Sequence, residues 1–373
     1  MLSVIVSELI PIFKISSKTV PIDPDLRFII QWLREYNYCK NTFITYRVII
    51  LRFYLWLKYN GLTLESSNKY HLLSYSEFIK APDPSWCNIY RHRFNHPGWR
   101  PFQKSLSNKS VHANLLAIKN MFTYLYHANI LSHNPFWFKI RNYDITYNSL
   151  VKQSRYFTKE EFQLLIDFIE KMPIATIRLE ESKVRILWVF KLLFFTACRK
   201  MEVINATMEN IKFINRRLWL EVIGKGNKIG YIPIIPELAI ALNEYRKFYD
   251  LPTLDKRTEN ESHIPLIILH KKSSHYSPIS PSHLWYLVKS TCILFTETIK
   301  DQTVIEKIKK VSPHWFRHSS ATAQVDSGID IRVVQQNLRH SSIETTMRYQ
   351  HIDNDTRHQA TINFGSRIKT VDK

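Results

Sequence analysis

Four short stretches of this chain gather groups that could do chemistry on an anion. In "PHWFRH" (313–318), His314 and Arg317 stand three residues apart and would share one face of a helix. Ser312 suits an N-cap and Pro313 the first helical position, so the pair opens a helix whose unpaired N–H groups favour phosphate. Arg199 ends an apolar run in "TACRKMEV", with Glu202 three residues later. Lys225 sits between glycines in "IGKGNK". His340, in "NLRHSS", stands just ahead of an expected Ser341–Glu344 capping box, and Tyr349 falls in the helix that this cap would start. Forked cations, imidazoles and a phenol are suited to gripping an anionic centre and to moving a proton beside it.

Each group also has an ordinary structural use. Arg199 could complement a helix dipole, Lys225 could be a solvated turn charge, and the His314–Arg317 pair could lie on a salt-bridged face. His340 could be structural, Tyr349 a core ring with its hydroxyl at the edge, and Glu202 the partner of a neighbouring cation. Only the set, taken together, decides.

Composition narrows what such a set could meet. Lys and Arg number 52 against 32 acidic residues, a formal charge of +20, and that self-repulsion makes sense beside a polyanion. With 45% hydrophobic and 13% aromatic residues in 373, the chain can build real cores in two or three domains. No apolar run reaches the ~20 residues of a spanning helix. The opening "MLSVIVSELIPIF" lacks a basic n-region and a small-residue cleavage site, so it reads as a strand or packed arm. Cys39, Cys87, Cys198 and Cys292 form no CxxC pair, which argues against a disulfide framework or zinc site and for a reducing cytosol. His314 and His318 have a zinc-like spacing, but no HExxH accompanies them.

The elements that must position these groups are mostly helical. Residues 24–60 carry two helical stretches broken at "CKN" and stopped by Gly61, and another runs from Ser110 to about Leu131. Between them lies an aromatic and basic stretch, "APDPSWCNIYRHRFNHPGWRPFQKSLSNKS", readable as a surface loop or as a DNA-facing one. After the polar 143–155, Thr158 and Glu161 make a capping box that starts a second domain, with helices near 159–171 and 181–197. The latter is apolar almost all round, as a buried core helix would be. Two β-rich runs flank "GKGNK" as a hairpin that holds three of the chain's seven glycines. "PLIIL" (265–269) could be a third strand, followed by a helix in "SPSHLWYLVKSTCILF". Much of 251–310 takes no role in this reading.

In order and spacing, "FTACRKMEV", "VIGKGNKIGYIPI", "SPHWFRHSSAT" and "IDIRVVQQNLRHSSIETTMRYQHI" resemble the tyrosine recombinase (integrase) family over about residues 156–352. The resemblance implies a mainly α fold with a small antiparallel β-sheet. Its parts would be an N-terminal arm (1–20), a helical core-binding domain on DNA (21–142), a linker (143–157), a catalytic domain (158–352) and a tail (353–373) that docks on a neighbouring protomer. It implies a site-specific recombinase that cleaves and rejoins DNA through a 3′-phosphotyrosine, with Tyr349 as nucleophile. Charge that grows on the attacked phosphorus is best met by fixed forked cations, and Arg199 and Arg317 fill that need. A phenol is a weak nucleophile at neutral pH and needs a proton acceptor, and His314 would be that base or a hydrogen-bonding helper. Lys225 would protonate the departing 5′-oxygen, His340 would donate to a non-bridging oxygen, and Glu202 would orient Arg199 or His340. No metal, nucleotide or other cofactor is required, since the phosphotyrosyl bond conserves the energy for rejoining.

The implied partners are double-stranded DNA and three further copies, a tetramer over two sites. The implied location is cytoplasmic, in a bacterial or phage-encoded protein on the nucleoid. Integration, excision, transposition and dimer resolution are all compatible uses. A silent DNA-binding protein of the same fold, type IB topoisomerase-like relaxation and RNA binding are the alternatives. One residue departs from the family pattern: Arg339 stands before His340 where glycine is usual.

Overall fold

The structure, a computed structural model, describes residues 23–90, 92, 96–136, 155–224, 226–257, 261–272, 275–349 and 362. The N-terminal arm, residues 143–154 of the expected linker, the tail apart from Ile362, and Lys225 therefore lie outside the described residues. The chain divides into two compact units, Met1–Val151 and Lys152–Lys373.

The first unit is built from four described helices: α1 (Pro24–Arg34), α2 (Lys40–Tyr59), α3 (Lys69–Lys80) and α4 (Asn108–His127). Side chains cap three of them, since Asp23, Asn68 and Ser107 each accept an N–H of the first turn. Gly61 (φ 67°) follows α2, and Leu62 N–H returns to Leu57 C=O, a glycine C-terminal stop. Trp32, Phe53, Leu57, Met121 and Phe122 form part of one aromatic core. The basic stretch after α3 is partly packed: Trp86 and Phe102 are buried, and Arg52 lies 4.8 Å over the Phe102 ring.

In the second unit, the Thr158–Glu161 capping box opens α5 (Lys159–Glu170). The buried helix α6 (Ile177–Thr196) runs through the centre, with Trp188, Val189, Phe190, Leu192 and Leu193 in the core. Around it stand α7 (Lys200–Asn205), α8 (Pro236–Phe248), α9 (Pro281–Thr296), α10 (Gln302–Ile308), α11 (Pro313–Asp326), α12 (Ile331–Leu338) and α13 (Ile343–Met347). Strands β1 (Ile211–Ile214), β2 (Arg217–Ile223) and β3 (Ile229–Pro233) form an antiparallel sheet in that order. Its register pairs Ile211 with Leu220 and Leu220 with Ile232, and these three side chains face the core. The strand expected at 265–269 instead starts three residues later. Strand β4 (Ile268–Lys272) pairs with β5 (His275–Pro278), apart from the main sheet. The run before it is drawn to the α7 exit, where Met208 N–H bonds Ile264 C=O and Leu266 N–H bonds Ala206 C=O.

Candidate active site

The core helix ends where Ala197 turns into the left-handed region (φ 51°, ψ 25°). The chain restarts as α7 with Arg199 as its N-cap, so Arg199 opens a helix and does not close one. It is held by Glu202, whose carboxylate accepts from the Arg199 backbone N–H (2.7 Å) and from Nη1 (2.9 Å). The Arg199 side chain remains 42% exposed while Glu202 is 3% exposed.

Arg317 stands in the first turn of α11, where Ser312 takes the N-cap position without a side-chain cap bond. Unlike Arg199 it is buried. Its Nη1 donates to Ala197 C=O (2.6 Å) and its Nη2 to Leu338 C=O. Those carbonyls lie two residues before Arg199 and two before His340, so one guanidinium fastens both segments together. Burial, with Arg199 and Arg339 nearby, lowers its pKa to about 10, which leaves it charged at neutral pH.

Helix α12 stops in the same manner as α6: Arg339 is left-handed (φ 53°, ψ 48°) and donates its N–H to the last-turn carbonyls. Arginine adopts the conformation that glycine adopts most readily, and the chain turns to His340 all the same. The His340 ring lies 2.8 Å from Thr346 Oγ1 through Nδ1. The expected Ser341–Glu344 box is not formed. Ser342, in extended conformation (φ −123°, ψ 136°), caps α13 by accepting Glu344 N–H. Tyr349 lies past α13 in a turn, its N–H on Thr346 C=O (3.0 Å).

The half-buried phenol of Tyr349 reaches His318, not His314: Oη lies 2.8 Å from His318 Nδ1. The His340 ring is stacked on Tyr349 at 6.4 Å, and His314 meets His318 edge-on at 4.4 Å. Burial raises the Tyr349 pKa above its ordinary value, while Arg317 and Arg348 pull it down. Burial and neighbouring cations push His318 and His340 down to about 4, and His314 also below its usual value. The three imidazoles are thus neutral at physiological pH, and His318 can accept the phenol's hydrogen bond through a bare Nδ1.

Arg199, Glu202, His314, Arg317, His340 and Tyr349 therefore fall in one neighbourhood. Lys225 lies outside the described residues, but the hairpin base that carries it is close by: a Cβ on Gly224 would stand 3.8 Å from Glu202 Oε1. Two contributors escape a reading by single motifs. His318 is visible in sequence as the neighbour of Arg317, four residues past His314, a spacing that invites a metal before a phenol. Arg339 is visible only as an oddity, yet its Nη2 lies 2.5 Å from Glu202 Oε2. Among the described residues no three His, Cys, Asp or Glu side chains are placed to hold a metal ion.

A family model described as Phage integrase family matches residues 155–356. The tyrosine recombinase XerC of Pediococcus pentosaceus is 27% identical over 256 residues, 67% of this chain and 74% of the relative. The tyrosine recombinase XerA of Pyrococcus furiosus is 30% identical over 195 residues, 52% of this chain and 56% of the relative. Among solved structures, XerH bound to a palindromic difH substrate, a post-cleavage complex, superposes with a TM-score of 0.60 at 16% identity, covering 96% of this chain and 92% of that one. The Tn1549 transposon integrase with transposon right-end DNA gives 0.60 at 15% identity, covering 91% and 98%.

Proposed function

The chain belongs to the phage integrase family of tyrosine recombinases, and we propose that Tyr349, Arg199, Arg317, His318, His314, His340 and Lys225 carry its strand exchange, with Glu202 in support. The protein is a site-specific recombinase that cleaves and rejoins DNA strands. Tyr349 Oη passes its proton to His318 Nδ1 as it attacks the scissile phosphorus, and the phosphotyrosyl bond forms while the bond to the 5′-oxygen breaks. That oxygen leaves with a proton from Lys225. In the reverse step a 5′-hydroxyl gives its proton to Lys225 as it attacks the phosphotyrosine, and the phenol leaves with the proton held by His318. Arg199, the more exposed fork, meets the phosphate first, and Arg317 adds its remaining N–H groups once DNA seats. His318 orients the phenol. With a pKa near 4 it is a poor base until a phosphate docks, and that negative charge raises its proton affinity. His314 and His340 donate to non-bridging oxygens. Duplex DNA is the substrate, and a tetramer over two sites is the assembly that exchange requires.

The observation that carries this reading is the phenol seated 2.8 Å from His318, beside a buried arginine that fastens the Arg199 and His340 segments. The test is covalent trapping. Genomic fragments of the host that stay attached through denaturant are sequenced to find the site, and a nicked duplex carrying that site then traps the adduct. Tyr349→Phe should give none; adduct equal to wild type removes Tyr349 as the nucleophile.

A further inference from the structure

The geometry points to Arg339 as a positioning residue that leaves Arg199 free to hold phosphate, with Gly230 as the gap through which it reaches. This builds on the roles given above to Arg199 and Tyr349. The Arg339 side chain is 14% exposed, with Nη2 on Glu202 (2.5 Å) and Nη1 on Asn337 C=O (3.0 Å). Between the two side chains Glu202 divides its oxygens: Oε1 takes Arg199 Nη1, and Oε2 takes Arg339 Nη2 beside the Arg199 backbone N–H. With Arg199, Arg317 and Arg339 against Glu202, the local charge is 3 − 1 = +2; without Arg339 it is 2 − 1 = +1. The attacked phosphodiester gains negative charge toward its transition state, so the second unit of charge matters most there.

The path to Glu202 crosses β3. A Cβ at Gly230 would lie 2.5 Å from Arg339 Cδ and 3.4 Å from Cγ. The backbone of Gly230 is not left-handed, so the arginine stem, and not a turn, is what requires glycine there. Gly230 lies on the strand that returns from the Lys225 hairpin, so the same contact joins hairpin, carboxylate and His340 segment.

Arg339→Gly, Arg339→Lys, Gly230→Ala and the Arg339→Gly/Gly230→Ala double variant would be compared with Arg199→Ala. The readouts are single-turnover cleavage of the nicked duplex, its binding, and thermal melting. Arg339→Gly suits the left-handed backbone, so it should melt like wild type and bind DNA within about threefold, yet cleave about thirtyfold more slowly. Arg339→Lys should recover most of that rate. Gly230→Ala should slow cleavage about tenfold and add nothing in the double variant, since both remove one contact. Arg339→Gly cleaving within about threefold of wild type, while Arg199→Ala loses at least about a hundredfold, overturns the proposal and spares the site. A double variant whose two losses multiply overturns it too. Arg199→Ala cleaving at the wild-type rate overturns the site assignment itself.

Discussion

The two arginines proposed to grip the phosphate are not equivalent in the folded protein, and truncating each to alanine should separate them. Arg199 has a 42% exposed side chain, and its partner Glu202 keeps Arg339 when Arg199 is removed. Exposed pairs contribute about 0–1 kcal/mol, so Arg199→Ala should unfold within about 1 kcal/mol of wild type. Its cleavage rate should fall about 10²–10³-fold, the scale of one lost oxyanion donor. Arg317 is buried, and its guanidinium serves two carbonyls, those of Ala197 and Leu338. At about 1.5–3 kcal/mol for each bond to a charged donor, Arg317→Ala should lose about 3–6 kcal/mol of stability as well as cleavage. That is a large share of the roughly 5–15 kcal/mol that holds a domain together. Urea unfolding of both variants, read beside single-turnover cleavage of the nicked duplex, makes the comparison. Equal stabilities for the two variants would refute the clamp, and a near-wild-type cleavage rate in either would refute its phosphate role.

His318 and His340 titrate near 4 when folded and near 6.5 unfolded, so the unfolded chain binds more protons between those values. Stability should be complete above about pH 6.5 and fall toward pH 4, by about 1 kcal/mol per half-buried histidine after screening; stability that rises on acidification would contradict this. Glu261 holds the buried Arg246 guanidinium through both oxygens, at 2.9 and 2.6 Å. Glu261→Ala should lose about 3–5 kcal/mol by stranding that cation, and a wild-type melting curve would show the pair is dispensable. DNA affinity should drop about 10³–10⁵-fold between 50 and 200 mM salt if six to ten phosphates are contacted, whereas a flat salt series would mean the charge of +20 is not used on DNA.

Much of the architecture is legible because local chemistry and tertiary packing agree. Thr158 and Glu161 cap where their types demand, Gly61 stops α2, and the all-round apolar run becomes the core helix. Strand β1 is hidden because its hairpin turns on Asn215 and Arg216, both left-handed (φ 49° and 61°), and arginine is no turn signal. The segment 251–310 looks unassignable because its anchor is the long-range Arg246–Glu261 pair, which no periodicity reveals. At the site, the identities of the groups can be read from spacing, but their partners cannot. Whether Tyr349 meets His314 or His318 depends on where the turn after α13 lands, and that is set by Ser342 capping in place of Ser341. Arg199 changes from a helix end to a helix start for an equally local reason, the left-handed Ala197.

The left-handed residues disclose how the site is held. Ala197 and Arg339 are both non-glycine residues at positive φ, a conformation that disfavours a side chain by about 1–2 kcal/mol each. Both stand at the end of a helix, and each is followed within two residues by a group proposed to meet the phosphate, Arg199 or His340. Strain of this kind persists only where surrounding contacts over-determine it. Here the contact is common to both ends, since Arg317 donates to the carbonyl of Ala197 and to that of Leu338, just before Arg339. Two bonds of about 1.5–3 kcal/mol offset two such strains. The arginine proposed to stabilise negative charge in the transition state is therefore also the staple that keeps both neighbouring groups in place. Loss of its charge and loss of site geometry are then one event, which is why a lysine at 317, with a cation but no fork, should restore less than the charge alone would suggest.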